Sequence, residues 1–234
     1  MKRYFDNLEK LASRHSRSRI FSDFLAMVVC SLSMQTQEEL YLQIVAKYER
    51  KELDLICESF ALLVMEMDNR GEGLKDCLGD YFQEYISNGN NGQFFTPDGI
   101  CDLMARMTLD PETLTDGKTI NDCACGSGRT LLAAAKINRN LQFYAGDISL
   151  DCCYMTLINF CLNNLEGEVW WMDTLRQKMF GAWRLKKNYL GVCTITKLTI
   201  IETIQPEIKP IELKPLERSF ATADSMQLLL DFVA

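Results

Sequence analysis

Residues 121–136 read NDCACGSGRTLLAAAK, and they place two kinds of local pattern on either side of a pair of glycines. The preceding KTI at 118–120 and NDCAC at 121–125 carry β-branched and small residues that suit a buried strand, whereas Leu131–Ala135 contains strong helix formers. Between them, Gly126 and Gly128 permit positive φ and would bring backbone N–H groups close to a ligand at a helix N-terminus. The stretch predicts a strand, a glycine turn and a helix. The turn is either a nucleotide-type site or only a tight connection.

The next stretch, LQFYAGDISLDCCYMTLINFCLNN from Leu141, adds an acidic residue in a suitable register. Its first six residues predict a second strand, and Asp147 comes 19 residues after Gly128. In doubly wound folds, an acid about 20 residues beyond the glycine turn accepts hydrogen bonds from ribose hydroxyls. The alternative is that Asp147 caps the helix predicted at 150–162, a role that Ser149 would fill equally well. We favour the ribose role because the two signals agree.

Composition places the chain among ordinary globular proteins. It has 234 residues, 47% hydrophobic and 24% charged, which suits one large domain or two small ones. No N-terminal segment is apolar enough for a signal peptide, and no apolar run reaches the roughly 18 residues of a membrane span. We therefore expect a soluble, cytoplasmic protein with no membrane partner.

The ten cysteines show no regular spacing. Without a secretion signal, this favours reduced thiols over disulfides, and we expect core positions for those inside apolar runs, namely Cys30, Cys57, Cys101, Cys123, Cys125 and Cys161. No Cys-x-x-Cys pair exists and His15 is the only histidine, so a zinc site or a His-based triad has little support. We predict no metal site.

Charge is spread unevenly along the chain. The net charge is −7 and the pI about 4.9, with 24 acidic and ten basic residues between 21 and 173. Phosphate contacts dominate nucleic-acid affinity, so this balance argues against tight binding of duplex DNA by the chain alone. Arg14, Arg17 and Arg19 form one basic cluster that could face a phosphate, although a solvated helix end is the favoured interpretation.

The apolar pattern changes near residue 88. Before it, apolar residues recur every three or four positions and no proline occurs, which predicts four or five packed helices. The Asn- and Gly-rich stretch SNGNNGQ at 87–93 interrupts this pattern, and strands then alternate with helices. We predict a helical N-terminal domain at 1–88 and a mostly parallel, doubly wound α/β domain at 89–234.

The stretch GQFFTPDGICDLMARM at 92–107 predicts a loop followed by a helix. Thr96 suits the N-cap of this helix and Pro97 its first position. An exposed helix N-terminus attracts carboxylate or phosphate groups, so the start of the helix is a second candidate for ligand contact. The alternative is that Phe94 and Phe95 belong to the core and that Thr96 only caps the helix.

Four motifs occur in the order found in the S-adenosylmethionine-dependent, adenine-specific DNA methyltransferases: GQFFTP at 92–97, DCACGSG at 122–128, AGDIS at 145–149 and WMDTL at 171–175. The chain is similar in particular to the modification subunits of type I restriction systems. LGDYFQEYI at 78–86 also looks like the helix that ends their N-terminal helical domain. The resemblance covers roughly residues 74–175. It implies a Rossmann-like methyltransferase fold preceded by a helical domain.

The resemblance also implies roles for individual residues toward the cofactor S-adenosylmethionine. The methionine end would be bordered by Phe95, Thr96 and Pro97, and the turn under the cofactor would be formed by Asp122, Cys123, Ala124, Gly126 and Gly128. Asp147 would accept hydrogen bonds from the ribose, Ile148 would pack on the adenine, and Asp173 would accept from the adenine amino group. Cys123 stands where the family usually has proline, and Ser149 where a second acid is common.

A larger departure concerns catalysis. These enzymes use an Asn/Asp-Pro-Pro-aromatic motif whose polar groups accept hydrogen bonds from the target amine while the aromatic ring stacks on the flipped base. None of the five prolines here is adjacent to another, so the motif is absent. Asn188 and Tyr189 are weak substitutes, because without prolines nothing holds them in the extended conformation that the motif requires.

Three functions remain open at the level of the sequence. The chain could bind S-adenosylmethionine without methylating DNA by itself, it could be an active DNA adenine methyltransferase of a restriction-modification type, or it could be an interaction protein that keeps only the fold. DNA is the partner that the resemblance implies, although the isolated chain would bind it weakly. A protein partner would then supply DNA recognition.

Overall fold

The computed structural model describes residues 3–34, 36–87, 94–112 and 114–199. These residues all belong to one compact unit, Met1–Thr203. The predicted boundary near residue 88 and the residues from 200 onward, which include three of the five prolines, lie outside the described residues. The division into domains at residue 88 therefore stays a prediction.

The first half of the described chain is helical, as its apolar spacing predicts. Its helices are α1 (Tyr4–Leu11), α2 (Arg17–Leu32), α3 (Glu38–Val45), α4 (Arg50–Met67) and α5 (Cys77–Tyr81), the last continuing as a π-helical turn at Phe82–Ile86. Side-chain hydrogen bonds cap the N-termini of some of these helices. The Ser16 hydroxyl accepts from the Arg19 amide at the start of α2, and the Asp76 carboxylate accepts from the Gly79 amide at the start of α5.

The second half alternates strands with helices. The elements are α6 (Asp98–Thr108), β1 (Thr119–Asp122), α7 (Arg129–Ile137), β2 (Gln142–Asp147), α8 (Leu150–Leu162), β3 (Gly167–Asp173), β4 (Lys178–Lys187) and β5 (Cys193–Leu198). The predicted strand, glycine turn and helix are present, although the strand ends at Asp122, three residues before Cys125.

The five strands form one sheet in the order β1-β2-β3-β4-β5. The pairs β1·β2 and β2·β3 are parallel, with α7 and α8 as crossover helices, whereas β3·β4 and β4·β5 are antiparallel. The prediction of a mostly parallel sheet was therefore wrong for the described strands, since half of the pairs are antiparallel. Only residues 174–177 join β3 to β4, and a parallel return needs a crossover of about a dozen residues or more.

The hydrophobic core lies between one face of the sheet and the helices α2 and α8. The strands contribute Phe143, Ala145, Val169, Leu185 and Ile195, each at most 1% exposed. Residues from both halves of the chain belong to this one cluster. Within the described ranges, no helix is long and apolar enough to cross a membrane.

Candidate functional site

Three aspartates end the three parallel strands. Asp122, Asp147 and Asp173 are the last residues of β1, β2 and β3. Because the carboxyl ends of neighbouring parallel strands meet at one edge of a sheet, the three carboxylates occupy the same edge. Their positions are staggered, since Asp122 pairs with Ala145 and Asp147 pairs with Trp171, each two residues short of the next aspartate. Open α/β sheets bind their ligands outside this edge.

The glycine turn begins at the same edge. Gly126 and Gly128 have φ angles of +56° and +82°, and Gly128 is the N-cap residue of α7. A Cβ on Gly126 would lie 2.8 Å from the ring of Phe95, and a Cβ on Gly128 would lie 3.1 Å from Thr156. Both positions therefore favour glycine for conformation and for space.

Asp122 stabilises the turn through hydrogen bonds to residues on both sides of the glycines. Its Oδ1 accepts from the Ala124 amide at 3.1 Å, and its Oδ2 accepts from the Thr130 hydroxyl on α7. Cys123 is exposed, and its carbonyl accepts from the Thr174 hydroxyl at 2.9 Å. The carboxylate of Asp122 thus closes the turn onto the helix that follows it.

Asp147 joins the glycine turn to the next crossover. Its Oδ2 accepts from the Gly126 amide at 2.9 Å and its Oδ1 from the Ser149 amide at 2.8 Å. The side chain is buried, and this burial raises the pKa of the carboxyl group against the opposing effect of the amide hydrogen bonds. Ser149, and not Asp147, caps α8, because the Ser149 hydroxyl accepts from the Cys152 amide. The Ile148 amide also hydrogen-bonds this carboxylate, and since a carboxylate has about four acceptor sites, one is left for a further donor.

Asp173 and Ile148 lie beside Asp147 at the edge. The Asp173 carboxylate accepts from the Arg176 amide at 3.0 Å and from its guanidinium at 2.9 Å, and the amide hydrogen bond is the main cause of the lowered Asp173 pKa. Ile148 is 60% exposed, although its carbonyl accepts from the Trp171 indole. An exposed apolar side chain next to two carboxylates can pack on an aromatic base.

The loop before α6 faces the glycine turn and forms the second wall of the candidate site. Phe95 stacks on Phe82 with ring centroids 5.3 Å apart, and its carbonyl accepts from the Gln83 amide group at 3.0 Å. The predicted cap is displaced by one residue. Pro97 is the N-cap and α6 begins at Asp98, because the ψ angle of Pro97, 145°, is extended rather than helical. Thr96 instead accepts a hydrogen bond at its carbonyl from the Cys101 thiol.

A pocket of about 190 Å³ lies between this loop and the glycine turn. Its lining includes Phe94, Phe95, Thr96, Asp122, Ala124, Cys125, Gly126, Ser127, Arg129 and Thr130. Asp147, Ile148 and Asp173 lie outside this lining, farther along the same edge. Of the predicted methionine-end residues, the structure thus brings Phe95 and Thr96 against the turn, whereas Pro97 is outside the lining. Asp147 and Asp173 end the neighbouring strands, and Ile148 follows Asp147.

A larger cavity, of about 830 Å³, lies between α1 and the α5 segment. Its lining includes Tyr4, Phe5, Glu66 and Tyr81 and contains none of the predicted cofactor residues. The larger cavity therefore has volume but none of the predicted chemistry, whereas Asp122 and the glycine turn line the smaller pocket. Asp147 and Asp173 lie farther along the same strand edge.

Sequence reasoning missed a buried polar cluster under the turn. Asp76 is 3% exposed and accepts from the Arg129 guanidinium at 2.9 Å, from the Asn159 amide group at 2.9 Å and from the Ser127 hydroxyl. These partners are 51 to 83 residues away in sequence. The one local signal is Asp76 before LGDYF, which marks a helix N-cap but not its distant partners.

The structure does not bring Asn188 and Tyr189 to the strand edge. They lie in the turn between β4 and β5, where Asn188 Oδ1 accepts from the Leu190 and Val192 amides and Tyr189 is 94% exposed. Because β4 runs antiparallel to β3, its end beyond Lys187 lies at the amino edge of the parallel strands, away from Asp173. This placement gives no support to the weak catalytic assignment of these two residues.

The basic cluster near the start is already paired. Arg14 contacts Glu49 at 2.9 Å, Arg17 contacts Glu9 at 2.6 Å, and Arg19 lies 3.9 Å from Asp23. His15 faces Glu52 at 3.2 Å. These contacts support the interpretation of a solvated helix end over a phosphate site.

All ten cysteines are free thiols. Eight are buried, but Cys57 and Cys123 are exposed, so the prediction of core positions was wrong for these two. Among the described residues, no group of three His, Cys, Asp or Glu side chains is arranged to hold a metal ion.

The fold and site describe an α/β protein with a glycine turn and three strand-end aspartates at one sheet edge. The chain belongs to the N-6 DNA Methylase family, whose model matches residues 74–191. A curated relative, the type I restriction enzyme MpnII methylase subunit of Mycoplasma pneumoniae, is 28% identical over 113 residues. That alignment covers 44% of this chain and 20% of the relative, so the chain spans about a fifth of the relative's length. The search of solved structures found no match.

Proposed function

We propose that the chain binds S-adenosylmethionine at the carboxyl edge of β1–β3, in a Rossmann-like arrangement, and does not methylate DNA by itself. The observation that carries the binding proposal is Asp147, a buried strand-end carboxylate held by the amide of the glycine turn. Membership of the N-6 DNA Methylase family supports this cofactor, since such enzymes transfer its methyl group.

In this proposal each wall of the site contacts a different part of the cofactor. Asp147 accepts from the ribose hydroxyls, Ile148 packs on the adenine, and Asp173 accepts from the adenine amino group. The methionine end lies at the smaller pocket, next to Phe95, Thr96 and Pro97 and the turn residues Asp122, Cys123, Ala124, Gly126 and Gly128. The sulfonium and the ammonium groups of the cofactor are cationic, and the aspartates at this edge complement them.

The absence of methyl transfer is proposed from the course of the chain after Asp173. An exocyclic amine becomes a nucleophile only when acceptors lie within about 2.6–3.2 Å of it, and the flipped base needs a stacking ring. Here a short turn leads from Asp173 directly into β4, and that strand carries Asn188 and Tyr189 to the far edge of the sheet. The family's paired prolines are also absent from the sequence.

A second candidate function is an active DNA adenine methyltransferase that depends on a partner chain. It is favoured by the relative, whose name describes a subunit of a type I restriction enzyme. In that case a protein partner would provide the catalytic acceptors and the recognition of DNA, and the complex would act in the cytoplasm. The third candidate, an interaction protein that keeps only the fold, predicts no cofactor binding.

One assay on the chain alone separates a protein that only binds the cofactor, an enzyme that needs no partner and an interaction protein. The purified chain is incubated with methyl-labelled S-adenosylmethionine and mixed DNA, and the label is counted in the protein fraction and in the DNA. We expect label on the protein that exchanges with unlabelled cofactor, and none in the DNA. Label in the DNA would establish the active enzyme, and that activity should survive Asn188→Ala because Asn188 is at the far edge. An unlabelled protein fraction would favour the interaction protein.

A further inference from the structure

The segment from Asp76 to Ile86 contacts both walls of the smaller pocket. At its start, Asp76 contacts the floor of the glycine turn through Ser127 and Arg129. Seven residues later, Gln83 donates to the Phe95 carbonyl, and the ring of Phe82 stacks on the ring of Phe95. A single short element therefore holds the glycine turn and the loop that faces it.

Asp76 is unusually well connected for a helix N-cap. Its Oδ1 accepts from the Gly79 amide and from the Asn159 side chain, both at 2.9 Å, while its Oδ2 accepts from Ser127 and Arg129. The four donors come from α5, α7, α8 and the glycine turn. A buried carboxylate with four donors is fully satisfied, and removing its charge would leave the Arg129 guanidinium without its most buried partner.

The network continues to the other side of the turn. The Asn159 amide group also donates to the Ser127 carbonyl at 2.8 Å, and the Thr156 hydroxyl donates to the Gly126 carbonyl at 3.0 Å. The turn is thus fixed by side chains from α5 and α8, while its outer face carries Phe95 against Gly126. Any shift of the turn relative to α5 changes the width of the pocket.

We infer that Asp76 is a positioning residue for the cofactor site: through Ser127 and Arg129 it fixes the glycine turn at a set distance from the wall formed by Phe95. It does not touch the cofactor. This inference rests on the proposed function for its consequence, the affinity for S-adenosylmethionine, but its structural content does not depend on that function.

The test compares Asp76→Asn and Ser127→Ala with a matched control, Tyr4→Phe. The Tyr4 hydroxyl of α1 donates to the carbonyl of Cys77, the first residue of α5, at 2.9 Å. The control therefore removes a buried hydrogen bond to α5 and leaves the contacts of the glycine turn in place. Hydrogen–deuterium exchange of the peptide that contains residues 124–130 is the first readout and needs no cofactor. We expect faster exchange in both Asp76→Asn and Ser127→Ala, and no change at these residues in Tyr4→Phe.

Calorimetric affinity for S-adenosylmethionine, measured well below each melting temperature, is the second readout. We expect Asp76→Asn to weaken cofactor binding about tenfold or more. The double variant Asp76→Asn with Ser127→Ala should bind only slightly more weakly than Asp76→Asn alone, because both substitutions break the same hydrogen bond between Asp76 and Ser127. Tyr4→Phe should bind as the wild type does.

Unchanged exchange at the turn in both variants, or affinity losses that multiply in the double variant, would overturn the inference. If Asp76→Asn does not fold, Ser127→Ala alone carries the test of exchange and affinity. A wild-type chain that fails to bind the cofactor contradicts the proposed function, and the exchange result then still decides whether Asp76 positions the turn.

Discussion

Asp147 is a carboxylate under two opposing influences. Burial at 9% exposure disfavours its charged form, whereas the Gly126 and Ser149 amides stabilise that form, and the net effect is a raised pKa. Donors from a ribose would add to the amides and favour the ionised carboxylate further. Ligand binding should therefore lower the pKa of Asp147.

Cys123 provides a residue-scale prediction because it is the exposed thiol of the glycine turn. We expect iodoacetamide at pH 8 to alkylate Cys123 and Cys57 in the native protein. The buried thiols should react slowly, since burial raises the pKa of Cys77 and of Cys152 to about 12 and keeps them protonated at this pH. Saturating S-adenosylmethionine should slow the reaction of Cys123 severalfold, as measured by peptide mass spectrometry.

Cys57 serves as the internal control for this experiment. It lies on α4, away from the strand edge, so the cofactor should not alter its rate of alkylation. Equal protection of both thiols would indicate global stabilisation rather than contact at the turn. Unchanged alkylation of Cys123 in the presence of bound cofactor would contradict the placement of the site.

At the scale of elements, a side chain at Gly128 should destabilise the glycine turn. An alanine at this φ of +82° is less stable than glycine by about 1–2 kcal/mol. Its Cβ would also lie only 3.1 Å from the side chain of Thr156 on α8. We expect Gly128→Ala to lower the free energy of unfolding in urea by about this amount or more. It should also weaken cofactor binding, because the turn must move away from α8.

Gly191→Ala is the matched control for this prediction. Gly191 has a similar φ of +75°, but nothing lies within 4 Å of its added Cβ, and it is in the β4–β5 turn at the far edge. It should lose a similar backbone contribution to stability and keep its cofactor affinity. Equal loss of affinity in both variants would show that general destabilisation, and not the turn, is responsible.

The elements around the glycine turn could be predicted from sequence because their signals are local. Strand and helix propensity on either side of Gly126 and Gly128 gave β1 and α7, and the run after Asp147 gave α8 at its observed bounds. The run LQFYAG also predicted β2, which ends at Asp147, one residue beyond that run. These features depend on neighbours in the chain, which a sequence displays directly.

Other features depend on contacts between distant residues. The four donors around Asp76 come together only in the folded chain, so no spacing rule could reveal them. The reversal after Asp173 was missed for a different reason. The alternation of strands with helices predicted a mostly parallel sheet, but the four residues available before β4 permit only a hairpin. This reversal also places Asn188 and Tyr189 away from the strand edge.

For the whole molecule, the described sheet has two different halves. The parallel half, β1–β3, carries the glycine turn and the aspartates, and the antiparallel half, β4–β5, carries no predicted cofactor residue. The family match nevertheless runs from residue 74 to residue 191 and so includes both the Asp76 segment and β4. In the proposed function, the parallel half binds the cofactor, and the paired prolines of the family's catalytic motif are absent from the sequence.

The most direct test of the proposed cofactor site is a calorimetric titration of the full chain with S-adenosylmethionine, repeated with Asp147→Ala. The wild type should bind one cofactor per chain in a saturable manner. Asp147→Ala should bind about ten- to hundredfold more weakly, because the loss of a charged acceptor costs about 1.5–3 kcal/mol. Tyr4→Phe, whose lost hydroxyl donates to the Cys77 carbonyl and to no predicted cofactor residue, should match the wild type. No binding by the wild type, or the same affinity in Asp147→Ala, would contradict the assignment of the cofactor site.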